Sequence, residues 1–291
     1  MISIIITAYR EEKTIGKAIE AVLSQKLKDF EIIVSAPDEE TLEVARKYAR
    51  KNKRIKILKD AGKGKPAALN MIVKKAKGDI LVLTDGDVYV GKDSISKLIS
   101  VLDDKKMGAV TGCPVSVNSR ANRMGYWAYM LTAIADEIRE KAGKNGDRIF
   151  CSGYLFAIRK SLFPHLPEEL LSEDGYVSQK VYEKGFKIGY REDSKVYVKY
   201  PDNFSDWIKQ KKRSAGGYNQ IKKMTSVSLR SFSWESSGAF MFFKYPSNFL
   251  EWIWLFELFI SRVYLWFAIY RDINIKKKSQ KEIWQRVEST K

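Results

Sequence analysis

The sequence predicts an α/β protein: a mainly parallel β-sheet flanked by helices on both faces. Two patterns predict it. From residue 2 to about residue 111 short β-rich runs alternate with helical periodicity, and the segments Thr7 to Glu12, Ser35 to Asp38 and Asp85-Gly86-Asp87 fall at the carboxyl ends of strands. A third feature, the run Ile80-Leu81-Val82-Leu83-Thr84-Asp85-Gly86-Asp87, is an apolar strand ending in two carboxylates separated by one glycine.

Taken in order, Ile2-Ser3-Ile4-Ile5-Ile6 reads as the first core strand; it is too short, and lacks the basic leader, for a signal peptide. Further strands are expected at 30–35, 54–58, 79–84 and 108–111. Between them Ile15, Ala18, Ile19, Val22 and Leu23, and later Ala68, Leu69, Ile72, Val73 and Ala76, recur at the spacing of one buried helix face. From Asn118 to about Ala142 the pattern is helical and aromatic, with Met124, Trp127, Ala128, Leu131 and Ala135 on one side. Cys151 to Ile158 reads as a strand containing Gly153. Ser172-Glu173-Asp174 then opens a helix carrying Val177, Val181 and Tyr182, with Gly185 as its stop. Serine followed by acids is equally the mark of ordinary helix capping.

In sheets of this type ligands gather outside the carboxyl ends of the strands. Thr7 to Glu12, Ser35 to Asp38 and Asp85-Gly86-Asp87 all fall there, so three loops are expected to converge on one crevice. In extended backbone, residues i and i+2 face the same side, so Asp85 and Asp87 can share a metal ion. Two hard oxygen ligands suit Mn2+ or Mg2+ better than zinc, and Gly86 leaves room for a phosphate, so a nucleotide diphosphate is the matching cargo. Dinucleotide and P-loop chemistry are disfavoured. No Gly-x-Gly-x-x-Gly follows the first strand, and Gly62-Lys63-Gly64-Lys65-Pro66 lacks the upstream glycine and the Ser or Thr of a P-loop.

Composition narrows the chemistry further. A 45% hydrophobic, 30% charged chain of 291 residues is a folded protein with a full core. The excess of 52 Lys and Arg over 35 Asp and Glu, a net charge of +17, favours anionic partners. His165 is the only histidine, which removes Ser-His-carboxylate triads and multi-histidine metal sites and leaves a carboxylate as the expected general base. Two cysteines, Cys113 and Cys151, indicate neither a disulfide framework nor a cysteine zinc site.

Residues 246–270 are aromatic, with Phe249, Trp252, Trp254, Phe256, Phe259, Tyr264, Trp266 and Phe267 interrupted by Glu251, Glu257 and Arg262. The run is long enough to cross a bilayer but carries unusual charge, and its charges do not share one helix face. Two short helices, lying in a membrane interface or forming a re-entrant pair, are expected over a single crossing, followed by basic Lys276, Lys277, Lys278 and Lys281. The same aromatics could instead cover a core face or a dimer contact; oligomeric state is left open.

Read together, these segments resemble family 2 glycosyltransferases of the Rossmann-like GT-A fold, in particular polysaccharide-synthase-like, membrane-associated prokaryotic members. Ile4-Ile5-Ile6-Thr7-Ala8-Tyr9-Arg10-Glu11-Glu12 resembles the first strand and nucleotide loop, Lys63 to Asn70 the Gly-Lys…Ala-Leu-Asn segment, and Asp85-Gly86-Asp87 the metal motif. Ser172-Glu173-Asp174 stands where the family carries its acidic motif, and Gln210 to Gly217 resembles the Gln-x-x-Arg-Trp box. Two departures stand out: Ser35-Ala36-Pro37-Asp38 replaces the usual paired aspartates after the second strand, and Ser214 replaces the tryptophan of the box. The second departure removes a stacking surface and makes single-sugar transfer at least as good an expectation as polymer synthesis.

The resemblance implies a catalytic domain over residues 1–220, with a nucleotide-binding half at 1–111 and an acceptor half at 112–220, and a C-terminal aromatic helical region over 221–291. It implies Asp174 as the catalytic base, expected in a partly desolvated pocket, with Glu173 as competitor. Asp87 would be the metal ligand, with Asp85 nearer the ribose or the outer shell of the ion. Thr7, Ala8, Tyr9, Glu11, Asp38, Lys65, Gln210 and Arg213 would bind the nucleotide-sugar; Lys65 and Arg213 also read as solvated basic residues. The implied reaction is Mn2+- or Mg2+-dependent inverting transfer of a sugar from a nucleotide-diphosphate donor to a lipid-linked, polysaccharide or other membrane-proximal acceptor. It would run at the cytoplasmic face of the cell membrane. A nucleotidyltransferase on an α/β fold is the rival enzyme; a basic nucleic-acid-binding protein is the non-enzymatic rival, although no nucleic-acid-reading motif is present and no nucleic-acid partner is expected.

Overall fold

The computed structural model describes residues 1–225, 239–276, 282 and 286–290. Eight strands among them form one mixed, mainly parallel sheet: β1 (Ile2–Thr7), β2 (Phe30–Ala36), β3 (Ile55–Lys59), β4 (Ile80–Asp85), β5 (Val88–Val90), β6 (Met107–Ser116), β7 (Leu155–Arg159) and β8 (Lys187–Val198). Their order is β3-β2-β1-β4-β7-β6-β8-β5. β1 pairs in parallel with both β2 and β4, and β2 with β3, which brings the carboxyl ends of four strands to one edge. β7 runs antiparallel between β4 and β6, and β6 returns to parallel pairing with β8.

The strands are buried on both faces, which is why β1, β2 and β4 read as continuous apolar runs. Alternate side chains feed two cores. Ile4, Ile6, Ile32, Val34 and Val82 pack beneath α1 (Ile15–Leu23), α2 (Glu39–Ala49) and α4 (Ser94–Ser100). Ile5, Ile33, Leu81 and Leu83 pack beneath α3 (Lys65–Lys75) and α6 (Glu173–Glu183). The expected helix at 118–142 is α5 (Arg123–Asn145), started by Asn122, whose side chain accepts from Gly125 N. α7 (Phe204–Thr225) carries the Gln210 to Gly217 segment.

The aromatic C-terminus differs from expectation. Instead of two short helices it forms one, α8 (Phe249–Tyr270), capped by Asn248, whose side chain accepts from Glu251 N. The charges that argued against one helix are met locally: Glu251 accepts from Ser247, and Glu257 pairs with Arg123 on α5 at 3.3 Å. The inner face, Leu255, Leu258, Leu265 and Ile269, joins Met124, Trp127, Met130 and Trp207 in a third core, and Trp127 Nε1 donates to the Trp254 carbonyl at 2.7 Å. Lys277, Lys278 and Lys281 lie outside the described residues.

Candidate active site

The register of the sheet builds the site. Thr7, the last residue of β1, lies opposite Ser35 on one side and Asp85 on the other, and Thr7 Oγ1 is 3.2 Å from Asp85 Oδ1. Beyond these strand ends opens a cavity of ≈ 1070 Å³. It is lined by Thr7, Ala8, Tyr9, Glu11, Lys65, Asp85, Asp87, Glu173, Asp174, Gln210 and Arg213, so eleven of the twelve residues singled out from sequence stand around one space.

Lys65 joins the two halves of that space. Gly64, held at φ +99, turns the chain so that α3 begins at the cavity with Lys65 as its first residue. Lys65 Nζ lies 2.7 Å from Asp85 Oδ1 and 2.6 Å from Glu173 Oε1. Burial works against its charge, but the two carboxylates outweigh it and raise its pKa. Lys65 is therefore neither a solvated lysine nor an unengaged phosphate ligand; it is the counter-ion of two acids.

Asp174 is held differently. Its Oδ1 accepts from Ser172 Oγ at 2.6 Å and Gly175 N at 2.8 Å, and its Oδ2 from Gly153 N at 2.9 Å. Three donors fix the carboxylate in the first turn of α6, where Ser172, the residue at the N-cap, donates to Asp174 instead of capping the helix through its side chain, and Asp174 lines the cavity. The turn itself is seated by α7: a Cβ at Gly217 would lie 2.6 Å from Ser172 Cβ, so only glycine lets the helix approach this closely. Asn70, from the segment after Lys65, has a structural part, exchanging two hydrogen bonds with the Leu166 backbone at 2.8 and 2.9 Å.

Two expectations are corrected. Asp38 does not line the cavity. Its carboxylate caps α2 through Thr41 N at 3.0 Å and accepts from Arg10 N at 2.8 Å. The acid near the tip of β2 is Asp60, just past β3, which lines the cavity and accepts from Ser35 Oγ at 3.0 Å. Gly86 is required by packing, and not only by room for a phosphate. A Cβ there would fall 2.3 Å from Glu11 Oε2 and 2.8 Å from Ala8 Cβ, so its missing side chain makes room for the loop after β1.

Several lining residues were not anticipated. Tyr154 sits beyond Gly153; burial, with Asp87 and Asp85 nearby, raises its phenol well above the ordinary value against the pull of Arg213. Its hydroxyl is 3.5 Å from Gln210 Nε2. Arg139 and Leu131 of α5, Trp207 of α7, and Arg262 and Trp266 of α8 close the far side, and Arg286 and Val287 arrive from the C-terminus. The position of Tyr154 directly after the strand glycine was a usable signal; nothing local marks the others.

Three comparisons place this arrangement among known proteins. The model of the family described as "Glycosyl transferase family 2" matches residues 3–166. Poly-beta-1,6-N-acetyl-D-glucosamine synthase of Staphylococcus aureus (strain COL) is 26% identical over 227 residues, 76% of this chain and 55% of that protein. A probable glycosyltransferase, YdaM of Bacillus subtilis (strain 168), is 26% identical over 233 residues, covering 76% of this chain and 56% of that protein. The chain thus spans about half the length of these relatives. Among solved structures, mannosyltransferase PcManGT from Pyrobaculum calidifontis, in complex with GDP-Man and Mn2+, aligns with a TM-score of 0.63 at 19% identity, covering 76% of this chain and 64% of that one. S. aureus TarS 1-349 in complex with UDP-GlcNAc aligns with a TM-score of 0.53 at 20% identity, covering 69% and 59%. The architecture is the GT-A fold.

Proposed function

The chain belongs to glycosyl transferase family 2, and we propose that it is a metal-dependent, inverting glycosyltransferase that moves a sugar from a nucleotide-diphosphate donor to a membrane-proximal acceptor. One observation carries this reading: the strand-tip acids and the Ser172-Glu173-Asp174 turn converge on one cavity and are linked through Lys65. The similar structures bound to GDP-Man and UDP-GlcNAc support the class of donor.

The residues present fit a divalent cation that arrives with its donor. Among the described residues no group of three or more His, Cys, Asp and Glu could hold a metal by itself. Asp87 would be the principal carboxylate, with Asp85, paired with Lys65 at 2.7 Å, nearer the ribose or the outer shell of the ion, and Mn2+ or Mg2+ is commonly held by one or two carboxylates with phosphate and water completing the shell. The chemistry such an ion supplies when bound is neutralisation of the diphosphate as the glycosyl bond breaks. Thr7, Ala8, Tyr9 and Glu11 would receive the nucleoside, with Asp60 in place of Asp38. Arg213 would face the diphosphate.

Asp174 would take the proton of the acceptor hydroxyl. The acceptor oxygen would form the new bond to the anomeric carbon while the diphosphate leaves from the opposite side with the bonding pair. Three hydrogen bonds orient Asp174 beforehand, whereas Glu173 is committed to Lys65, which favours Asp174 over Glu173 as base.

The cavity lies at the upper end of the roughly 300–1,000 Å³ typical of small-ligand sites, in keeping with a ligand as large as a nucleotide-sugar. Its far wall includes Arg262, Leu265, Trp266 and Ile269 of α8, a helix whose outer face carries exposed Phe249, Trp252, Phe256, Ile260, Val263, Phe267 and Tyr270. α8 is long and apolar enough to cross a membrane by composition. Its inner face, however, is committed to α5 and α7, which favours lying in the interface. A lipid-linked or polysaccharide acceptor at the cytoplasmic face of the membrane follows.

The test is incubation with UDP-GlcNAc and GDP-mannose in Mn2+. Free nucleoside diphosphate should appear, Asp87→Ala should lose the metal response, and Asp174→Asn should bind donor while turnover falls about 10²- to 10⁴-fold. Full turnover by Asp174→Asn would refute the base; release of pyrophosphate would instead indicate nucleotidyl transfer.

A further inference from the structure

The loop after β1 contains a strained residue held from two sides. Arg10 has φ +53, in the left-handed region that non-glycine residues adopt only when the surroundings hold them there. Asp38 Oδ2 accepts from its N–H at 2.8 Å, and Arg286 Nη2 donates to its carbonyl at 2.7 Å. The neighbour this turn displays is Tyr9, which lines the cavity with Arg10 and Arg286 guanidinium carbons 5.4 and 5.8 Å from its ring centre.

Arg286 comes from the far end of the chain, on a segment that is itself anchored. Ser289 N donates to Asp206 Oδ2 at 3.0 Å, and Val287 and Thr290 are buried and line the same cavity. Arg286 also carries a buried Nε–H with no hydrogen-bond partner among the described residues. An unfilled donor of that kind is destabilising until an oxygen meets it.

Resting on the donor reading above, we propose that the C-terminal segment 286–290 is a wall of the donor site and that Arg286 is a positioning residue for the nucleoside end of the donor. Holding the Arg10 carbonyl, it completes the clamp begun by Asp38 and fixes the turn that presents Tyr9. Its Nε–H is the donor that a nucleoside oxygen satisfies on entry. The nucleoside side of the pocket is thereby built from both ends of the sequence.

The test is calorimetric binding of UDP, GDP and inorganic pyrophosphate, each with Mn2+, to the full chain. Arg286→Ala should bind the nucleoside diphosphate preferred by the wild type about 10-fold more weakly, with pyrophosphate affinity unchanged. In turnover, the donor KM should rise with kcat preserved. Arg286→Lys, which keeps a donor for the Arg10 carbonyl and lacks the Nε–H, should fall between the two. Unchanged nucleotide affinity in Arg286→Ala would overturn the proposal. Parallel loss of pyrophosphate would overturn it too, by making Arg286 a phosphate ligand. If Arg286→Ala does not fold, Arg286→Lys decides alone: wild-type affinity for both ligands overturns the proposal. A wild type that binds neither UDP nor GDP would overturn the donor reading itself.

Discussion

Lys65 Nζ lies 2.6 Å from Glu173 Oε1, tying the start of α3 to the start of α6 beside the cavity that both residues line. The same ammonium neutralises Asp85 at 2.7 Å, so in the absence of donor it occupies the place of a competing cation. Lys65→Met should therefore have two opposite effects. Stability should fall by about 1–3 kcal/mol, because two half-buried carboxylates lose their counter-charge. Mn2+ affinity of the donor-free protein should rise, because Asp85 is released. Thermal melts with and without Mn2+ check both; a variant that binds Mn2+ no better than wild type would show that Lys65 does not compete for Asp85.

Gly217 sets how closely α7 can approach the acidic turn. A methyl group there meets Ser172 Cβ at 2.6 Å, and Ser172 is hydrogen-bonded to Asp174. Gly217→Ala gains about 0.5–1 kcal/mol of helix propensity but must push the turn outward. Displacement of a base by ~1 Å can cost about 10²-fold in rate. Donor binding should be preserved while kcat falls by about that factor, with little change in melting temperature. Unaltered kcat would mean that the turn yields without moving Asp174.

The parts of the fold that were legible are those whose burial dictates their composition. β1, β2 and β4 are covered on both faces and announce themselves as apolar runs. β8 was not legible. Arg191, Glu192, Asp193 and Lys195 interrupt its apolar residues, and its pairing with β6 shifts register at Gly112 and Cys113. β5 is three residues long and gives no periodicity to read. In the site, Asp85, Asp87, Glu173 and Lys65 were visible because each sits beside a strand end or helix start. Asp60 stands just past β3 and so carried the same strand-end signal, but Asp38 after β2 was read in its place; Arg286 carried no local signal, because what brings it to the cavity is the tertiary return of residues 286–290 to the loop after β1.

Asp206 gives the C-terminal segment a defined acid sensitivity. Burial works to raise its carboxyl, but Lys209 and the Ser289 N–H outweigh that effect and bring the pKa from an ordinary 3.8 down to about 2. A carboxylate depressed on folding stabilises the native state above its unfolded pKa and loses that contribution as pH falls through its folded value. About 2 kcal/mol should therefore be present above pH ~4 and disappear between pH ~4 and ~2. Melting temperature measured against pH should show the loss. Asp206→Asn should lower stability at pH 7 and flatten the curve across that window; an unflattened curve would assign the acid sensitivity elsewhere.

The outer face of α8 can be tested without touching the site. Phe256 and Ile260 are 66% and 55% exposed, stand one turn apart, and take no part in the core beneath. Their replacement by glutamate should leave the protein folded and soluble nucleotide binding intact. If the stripe lies in a bilayer interface, each lost apolar side chain removes roughly 1.5–3 kcal/mol of transfer free energy, so Phe256→Glu/Ile260→Glu should bind anionic liposomes about 10²- to 10⁴-fold more weakly. Added salt should weaken the wild type as well, since a +17 chain is drawn to anionic headgroups. Flotation of the double variant with liposomes as efficiently as the wild type would place the membrane contact on another surface.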